Sequence, residues 1–249
     1  AIQLTLPDVA DRENLTVAAS LVDSDGHALH HTSLTLAVFP APDESGVSPA
    51  LAGNDPRAFS FLESLELGGS TGKNEDVILI TDVSHYLAAK EELDRRVRSG
   101  AAAVFLSLPE GSHTIGDSSI AVHAAGMGSR HFVSCASGHP LADGFLPQDF
   151  KFWFDERSGH ASPILHTVLD GEGWTPILLS GDGGWSRPWG PVAAAAERRE
   201  GRGVWRVCQV DLLDRVRTNP VARLFARRLL LPAGHPSLRE RAQELPNPK

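Results

Sequence analysis

Cysteine is scarce in this chain of 249 residues: only Cys135 and Cys208 are present, which excludes a disulfide framework and leaves at most one bridge. Both lie in or beside apolar runs, and that placement fits buried free thiols in a reducing, cytoplasmic compartment. Long hydrophobic runs are absent too. None approaches the roughly 20 apolar residues of a membrane-spanning helix, so no membrane partner is expected. Positive charge is in deficit, with a formal net charge of −8. Binding to nucleic acid needs clustered cations, and the richest stretch, Arg215 to Arg228, reads as the solvated face of a helix. The chain begins at Ala1 without an initiator methionine and without the charged and apolar regions of a signal peptide, and it is read as a fragment of a longer polypeptide.

What is there starts with the stretch from Val77 to Leu106. VILITD is aliphatic and β-branched without alternation, which suits a parallel strand covered on both faces. Tyr86, Lys90, Leu93 and Val97 follow at helical spacing, with Asp82 or Ser84 able to cap the start and Gly100 to end the helix. A second apolar run, Ala103 to Leu108, completes a βαβ unit.

Upstream, Leu15, Val17, Ala19 and Leu21 alternate, then Leu34, Leu36 and Val38 do so after Asp23-Ser24-Asp25-Gly26, predicting a β-hairpin with a third strand at Ile2 to Leu6. Two or three strands cannot close an immunoglobulin-like sandwich of about seven. Residues 1 to 40 are therefore read as the terminal strands of a truncated sandwich, and Pro40 to Pro56 as a linker. Asp55-Pro56 opens a short helix with Phe59, Leu62 and Leu65 as its buried stripe. Gly68 to Lys73 has the look of a phosphate loop but precedes its strand, and Asn74 stands where a magnesium-binding Ser or Thr belongs.

Pro109 to Arg130 reads as a long loop, His131 to Cys135, Ile164 to Leu169 and Ile177 to Ser180 as strands, and Gly181 to Pro191 as a loop of glycine, tryptophan and proline. Val192 to Glu197 and Val204 to Val210 should pair as a hairpin, with helix the alternative for the alanine-rich run. Asn219-Pro220 opens a last helix, capped by Asn219, with Val221, Leu224, Phe225 and Leu229 on its apolar face and Pro232 at its end. Residues 233 to 249 form a polar tail. The fold class expected is α/β: a flavodoxin-like or class I amidotransferase-like domain over residues 41 to 232, with a mostly parallel central sheet.

Chemistry is hard to assemble from these residues. Cys135 stands at the depth of an amidotransferase nucleophile, but Val133 and Ser137 flank it where a strained elbow wants small residues, and no His-x-Glu follows near the C-terminus. Eleven histidines show no ligand spacing, so neither a metal nor another cofactor is expected. Asp155 and Glu156 are adjacent, and on a strand would face opposite ways, which rules them out as a glycosidase pair by themselves. No catalytic residue is assigned. GDGGWSRPWGP is the most unusual stretch: Trp185 and Trp189 beside Asp182 and Arg187, on glycines that allow close backbone approach. With Trp153, Asp155 and Glu156 of FKFWFDE as possible neighbours, these are the candidate ligand or interface residues.

LTLAVFP, FVSCASGHPLADGF, DFKFWFDE, TPILLSGDGGW, EGRGVWRVCQVDL and NPVARLFARRLL together resemble the C-terminal region of bacterial glycoside hydrolase family 2 (β-galactosidase-like) proteins, across most of residues 30 to 230. The resemblance implies a non-catalytic, amidotransferase-like accessory domain serving interdomain packing, oligomerisation or the edge of a sugar site. Its implied partners are the catalytic (β/α)₈ barrel and sandwich domains of the same polypeptide, a carbohydrate, and a second copy in a homo-oligomer. A stand-alone thiol hydrolase and a carbohydrate-binding module are the alternative readings.

Overall fold

The computed structural model describes residues 5–41, 47–67, 76–126, 130–184 and 187–236. Two compact units divide the chain, Ala1–Asp43 and Glu44–Lys249.

The first unit holds the expected hairpin. Strand β1 (Glu13–Val22) pairs antiparallel with β2 (Ala28–Val38) in the register Leu15↔Leu36 and Val17↔Leu34, so the apolar residues share one face. Asp23 builds the turn, its Oδ1 accepting from the backbone N–H groups of Asp25 and His27 at 2.9 and 2.8 Å. Leu21, Leu29 and Leu34 are exposed. The third strand expected at Ile2 to Leu6 falls largely outside the described residues, and Thr5 and Leu6 are not in a strand.

The second unit overturns the expected fold class. Among the described residues the chain is mostly β, and its main sheet is mixed, not mostly parallel. Four strands do run parallel: β3 (Ala50–Ala52), β4 (Val77–Ile80), β5 (Ala102–Phe105) and, next to β5, β13 (Gly203–Cys208). Beyond β13 every pairing is antiparallel, through β12 (Arg187–Glu200), β10 (Thr167–Asp170), β7 (Ser118–Ala124) and β6 (Gly111–Ile115), with β11 (Thr175–Gly184) also on β12. The physical reason is connection length. Ile115 and Ser118 are joined by Gly116-Asp117 alone, and such a short turn can only reverse the chain. A separate two-stranded ribbon joins β8 (Phe154–Asp155) to β9 (His160–Ala161).

The expected βαβ unit is present, with β4 and β5 fully buried as their unbroken apolar runs require. Its helix is broken at Ala89 into α2 (Val83–Ala88) and α3 (Lys90–Ser99), and Asp82 caps the first by accepting from Ser84 N–H at 2.6 Å. Tyr86 meets Phe105 and Trp205 edge-on, while its hydroxyl donates to Asp94 at 2.9 Å and accepts from Lys90 Nζ at 2.7 Å and Gly116 N–H at 2.8 Å. This polar knot ties the helices to the β6–β7 turn.

Helix α1 (Pro56–Ser64) has its Asp55 cap, but Phe59 points to solvent and Phe61, with Leu62 and Leu65, is buried instead. Helix α4 (Pro220–Leu229) buries Val221, Phe225 and Leu229 as expected. Asn219 occupies its cap position without capping it: the side chain pairs with the backbone of Phe154, accepting at 3.0 Å and donating at 2.8 Å. The supposed linker contains β3, the supposed loops at 109–130 and 181–191 are largely strand, and the alanine-rich run is strand throughout. The Gly68–Lys73 turn and most of the tail lie outside the described residues.

Candidate functional site

Strands β11 and β12 remain paired out to Gly184↔Arg187, so the tryptophan-rich stretch is the end of a long hairpin. Asp182 is buried there and used as a brace. Its Oδ1 accepts from Gly126 N–H at 2.8 Å, and its Oδ2 lies 3.2 Å from His123 Nε2, which anchors the hairpin to the end of β7. Trp189 is the reverse case: it is 59 % exposed. Its indole lies across Gly183, where a Cβ would stand 2.8 Å from the ring, so only glycine lets the ring settle there. A wide aromatic face is thus held against backbone on one side and open to solvent on the other. Trp185 lies outside the described residues; for Arg187 the backbone is described, as the first residue of β12.

Trp153, Asp155 and Glu156 serve the fold instead. Trp153 is buried, packs at 5.5 Å against Phe150 and donates Nε1–H to Asp149 O at 2.7 Å. Desolvation would raise the Asp155 pKa, but hydrogen bonds from Ser162 Oγ, Arg157 N–H and Ser158 outweigh it and hold the carboxyl at about 2. Glu156 faces Arg217 at 3.8 Å. Buried Arg215 locks this region by donating to Trp153 O, Ser162 Oγ and Pro163 O at 3.0, 2.7 and 2.8 Å. The link to the hairpin is indirect: the segment carrying Phe132 and Ser134 bridges Lys151 on one side and Leu179 of β11 on the other.

Sequence reasoning missed His123 and Gly126, which position the hairpin end, while the close approach it expected of the loop's glycines is seen at Gly183. It also missed Phe132, which is exposed beside the bridging segment together with Phe152 and Phe154 of the FKFWFDE run, Phe152 taking a φ of 52°. The alternation of β7 was the available signal for His123, since Ile120 and Val122 point to the core and put His123 on the other face.

The cysteines are placed for packing. The Cys135 thiol donates to Phe145 O at 3.4 Å, and burial pushes its pKa up. Nearby in sequence, Ser137 Oγ donates to Ile177 O at 2.7 Å, and His139 Nδ1 accepts from Leu141 N–H at 3.2 Å while Nε2 faces Glu197 at 3.7 Å. Burial also raises Cys208, to about 12. At the distal hairpin turn Asp23, Asp25 and His27 bring potential ligand atoms within 4.8 Å of one another, but Asp23 is already engaged in forming the turn.

No protein-family model and no curated protein matches the chain. Solved structures do. A cold-adapted β-galactosidase from Rahnella sp. R3 aligns with a TM-score of 0.43 and 11 % identity, over 74 % of this chain and 30 % of that one. A β-galactosidase from Bacillus circulans sp. alkalophilus aligns at 0.40 and 10 %, over 75 % and 32 %. The cytoplasmic protein STM3548 from Salmonella typhimurium aligns at 0.41 and 12 %, over 86 % and 94 %. The chain spans about a third of the length of the two β-galactosidases, and the likeness is one of backbone.

Proposed function

We propose that this chain is an accessory domain of a glycoside hydrolase polypeptide of the β-galactosidase-like group, and that the end of the β11–β12 hairpin is the surface it presents to the catalytic barrel at the rim of a sugar site. The observation that carries the reading is Trp189: a large indole, seated on Gly183 and held out to solvent by a hairpin that buried Asp182 braces near its end. An exposed aromatic on a rigid support loses little conformational freedom when it is covered, which is the equipment of a contact surface. The resemblance carried by the stretches from LTLAVFP to NPVARLFARRLL supplies the polypeptide class.

The thiol-hydrolase alternative is disfavoured by chemistry on this chain. A nucleophilic cysteine needs a lowered pKa and an adjacent base, whereas Cys135 is raised by burial and, among the described residues, its hydrogen-bond partner is a carbonyl.

Covering one tryptophan is worth roughly 2 to 3 kcal/mol. Trp189→Ala should therefore lower kcat/KM of the whole glycosidase on nitrophenyl glycosides by one to two powers of ten. The melting temperature of the isolated chain should stay within about a degree of wild type, because an exposed ring contributes little to its own domain. Unchanged kinetics in the whole enzyme, with a destabilised isolated chain, would assign Trp189 to the fold and remove the proposed contact.

A further inference from the structure

Among the described residues the β1–β2 ribbon is paired only within itself, so each strand turns an outer edge of backbone N–H and C=O groups away from the other. Native sheets guard such edges against added strands with charges, prolines or β-bulges. Past Glu13, neither strand carries a lysine, arginine, carboxylate, proline or glycine, in a chain that is 22 % charged. A formal net charge of −8 makes two copies repel over most of their surface, so a contact between them has to fall on a neutral stretch. This ribbon is such a stretch.

The order of residues along β1 says what fits its edge. Leu15-Thr16-Val17-Ala18-Ala19-Ser20-Leu21 has nearly the same chemistry read from either end. An antiparallel neighbour related by a two-fold axis through Ala18 sets Leu15 opposite Leu21, Thr16 opposite Ser20, Val17 opposite Ala19, and Ala18 opposite itself. Apolar residues then meet on the face that carries Leu15 and Val17 and, from β2, Leu34 and Leu36, while small residues meet on the other. A slip of one residue would put the two apolar faces on opposite sides of the joined sheet. Of the nearest registers that keep the faces matched, a centre at Val17 puts Glu13 against Leu21, and a centre at Ala19 puts Leu15 against Asp23 of the turn. The bulge at Leu21/Val22 ends the regular strand where the palindrome ends. The β2 edge fits less well: every centre from Thr32 to Leu34 puts His30 opposite an apolar residue, and a centre at Thr35 needs Val38, which is buried.

We infer that the β1 edge binds a second copy of this chain, β1 to β1 about a two-fold axis through Ala18, in a four-stranded sheet of order β2-β1-β1-β2 with one continuous apolar face. Three or more strands with an apolar face are what gives a ribbon independent stability. The paired edge is about 24 Å long. An edge of that length buries less than the roughly 1,200 Å² at which standard interfaces begin, so the dimer is a weak and reversible one. It is separate from the Trp189 contact proposed above, and neither rests on the other.

Disulfide trapping reads this register directly. Facing residues of an antiparallel pair lie about 4.5 to 5.5 Å apart at Cα, inside the span of about 4.4 to 6.8 Å that a disulfide bridges. Ala18 is exposed, and Ala18→Cys should link to its own copy under copper phenanthroline and air, giving a covalent dimer on a non-reducing gel. Ser33→Cys is the control. Ser33 faces Ala18 across the ribbon and is also exposed, but in the dimer its two copies stand roughly 14 Å apart, three strand spacings. Ala18→Cys should therefore link at least tenfold faster, and the native Cys135 and Cys208, both buried, should stay out of the reaction. In sedimentation without oxidant, Ala18→Lys sets two ammonium groups face to face and should raise the dimer dissociation constant at least tenfold, while Ser33→Lys and Trp189→Ala leave it nearly unchanged. The inference is overturned if the chain sediments as a monomer at every concentration, if Ser33→Cys links as fast as Ala18→Cys or faster, or if Ala18→Lys associates as tightly as wild type.

Discussion

Glu197 and Arg206 face each other across β12 and β13. Arg206 is buried; its Nε donates to Glu197 Oε2 at 2.8 Å and its NH1 to the carbonyls of Leu229 and Leu231 at 2.8 and 2.5 Å, tying the sheet to the end of α4. Burial alone would raise the Glu197 pKa, but His139, 3.7 Å away, and the charge and hydrogen bond of Arg206 outweigh it and hold the carboxyl at about 2. A carboxyl depressed on folding stabilises above its unfolded pKa, and that stabilisation is lost as pH falls through the folded value. The stability from Glu197 should therefore be complete above about pH 4.5 and drain away down to about pH 2. Glu197→Gln leaves a buried guanidinium uncompensated and should cost about 3 to 5 kcal/mol in urea unfolding at pH 7, with a flatter acid limb between pH 4.5 and pH 2. A loss below about 1 kcal/mol would show that the two carbonyls suffice for Arg206. The two thiols make a second test: both should resist iodoacetamide at pH 8 in the native chain and react once it is unfolded, and rapid native alkylation of Cys135 would reopen the nucleophile question. The Glu197–Arg206 pair was not legible beforehand, because cross-strand partners follow from register, and register follows from a turn whose strands must first be recognised.

Elements that announce themselves by continuous burial were readable. VILI and AAVF are buried on both faces, and the run of β13 around Trp205 likewise, so their strand character and the parallel pairing of β4 with β5 follow from composition. Strands with one wet face were harder. β6 and β7 carry serine, histidine and threonine on their exposed positions and pass for loop, although Gly116-Asp117 between alternating runs is a two-residue hairpin signal. In β12 a row of alanines has helix propensity, and pairing on both sides overrides it. The β1–β2 hairpin is the clearest case of correct alternation, and its apolar face carries Leu15, Val17, Leu34 and Leu36. An isolated two-stranded ribbon is marginal in water, so this face and its open edges should recruit a second copy. Sedimentation should show concentration-dependent association of the whole chain that is absent from a chain beginning at Ala41; a monomer at every concentration, with freely exchanging hairpin amides, would contradict this.

Across the whole molecule, the amidotransferase-like expectation failed at the point where the chain changes from crossover connections to tight turns. Up to β5 the strands are joined through helices and lie parallel; from β6 onward they are joined mainly by turns and pair antiparallel, except that β13 also runs parallel to β5, and the sheet is mixed as a result. Of the candidate site, the glycine and tryptophan composition around Asp182 was legible, while the roles were not: Asp182 faces inward as a brace, Trp153 is core, and Asp155 belongs to a turn. The proposed role is decided most directly by hydroxyl-radical footprinting of tryptophans, read by mass spectrometry, on the isolated chain and on the whole polypeptide in which the proposal places it. Buried Trp153, Trp174 and Trp205 should stay protected in both and serve as internal controls. Trp189 should be oxidised readily in the isolated chain and be protected at least tenfold in the whole polypeptide, as a covered ring requires; equal oxidation of Trp189 in the two would contradict the account.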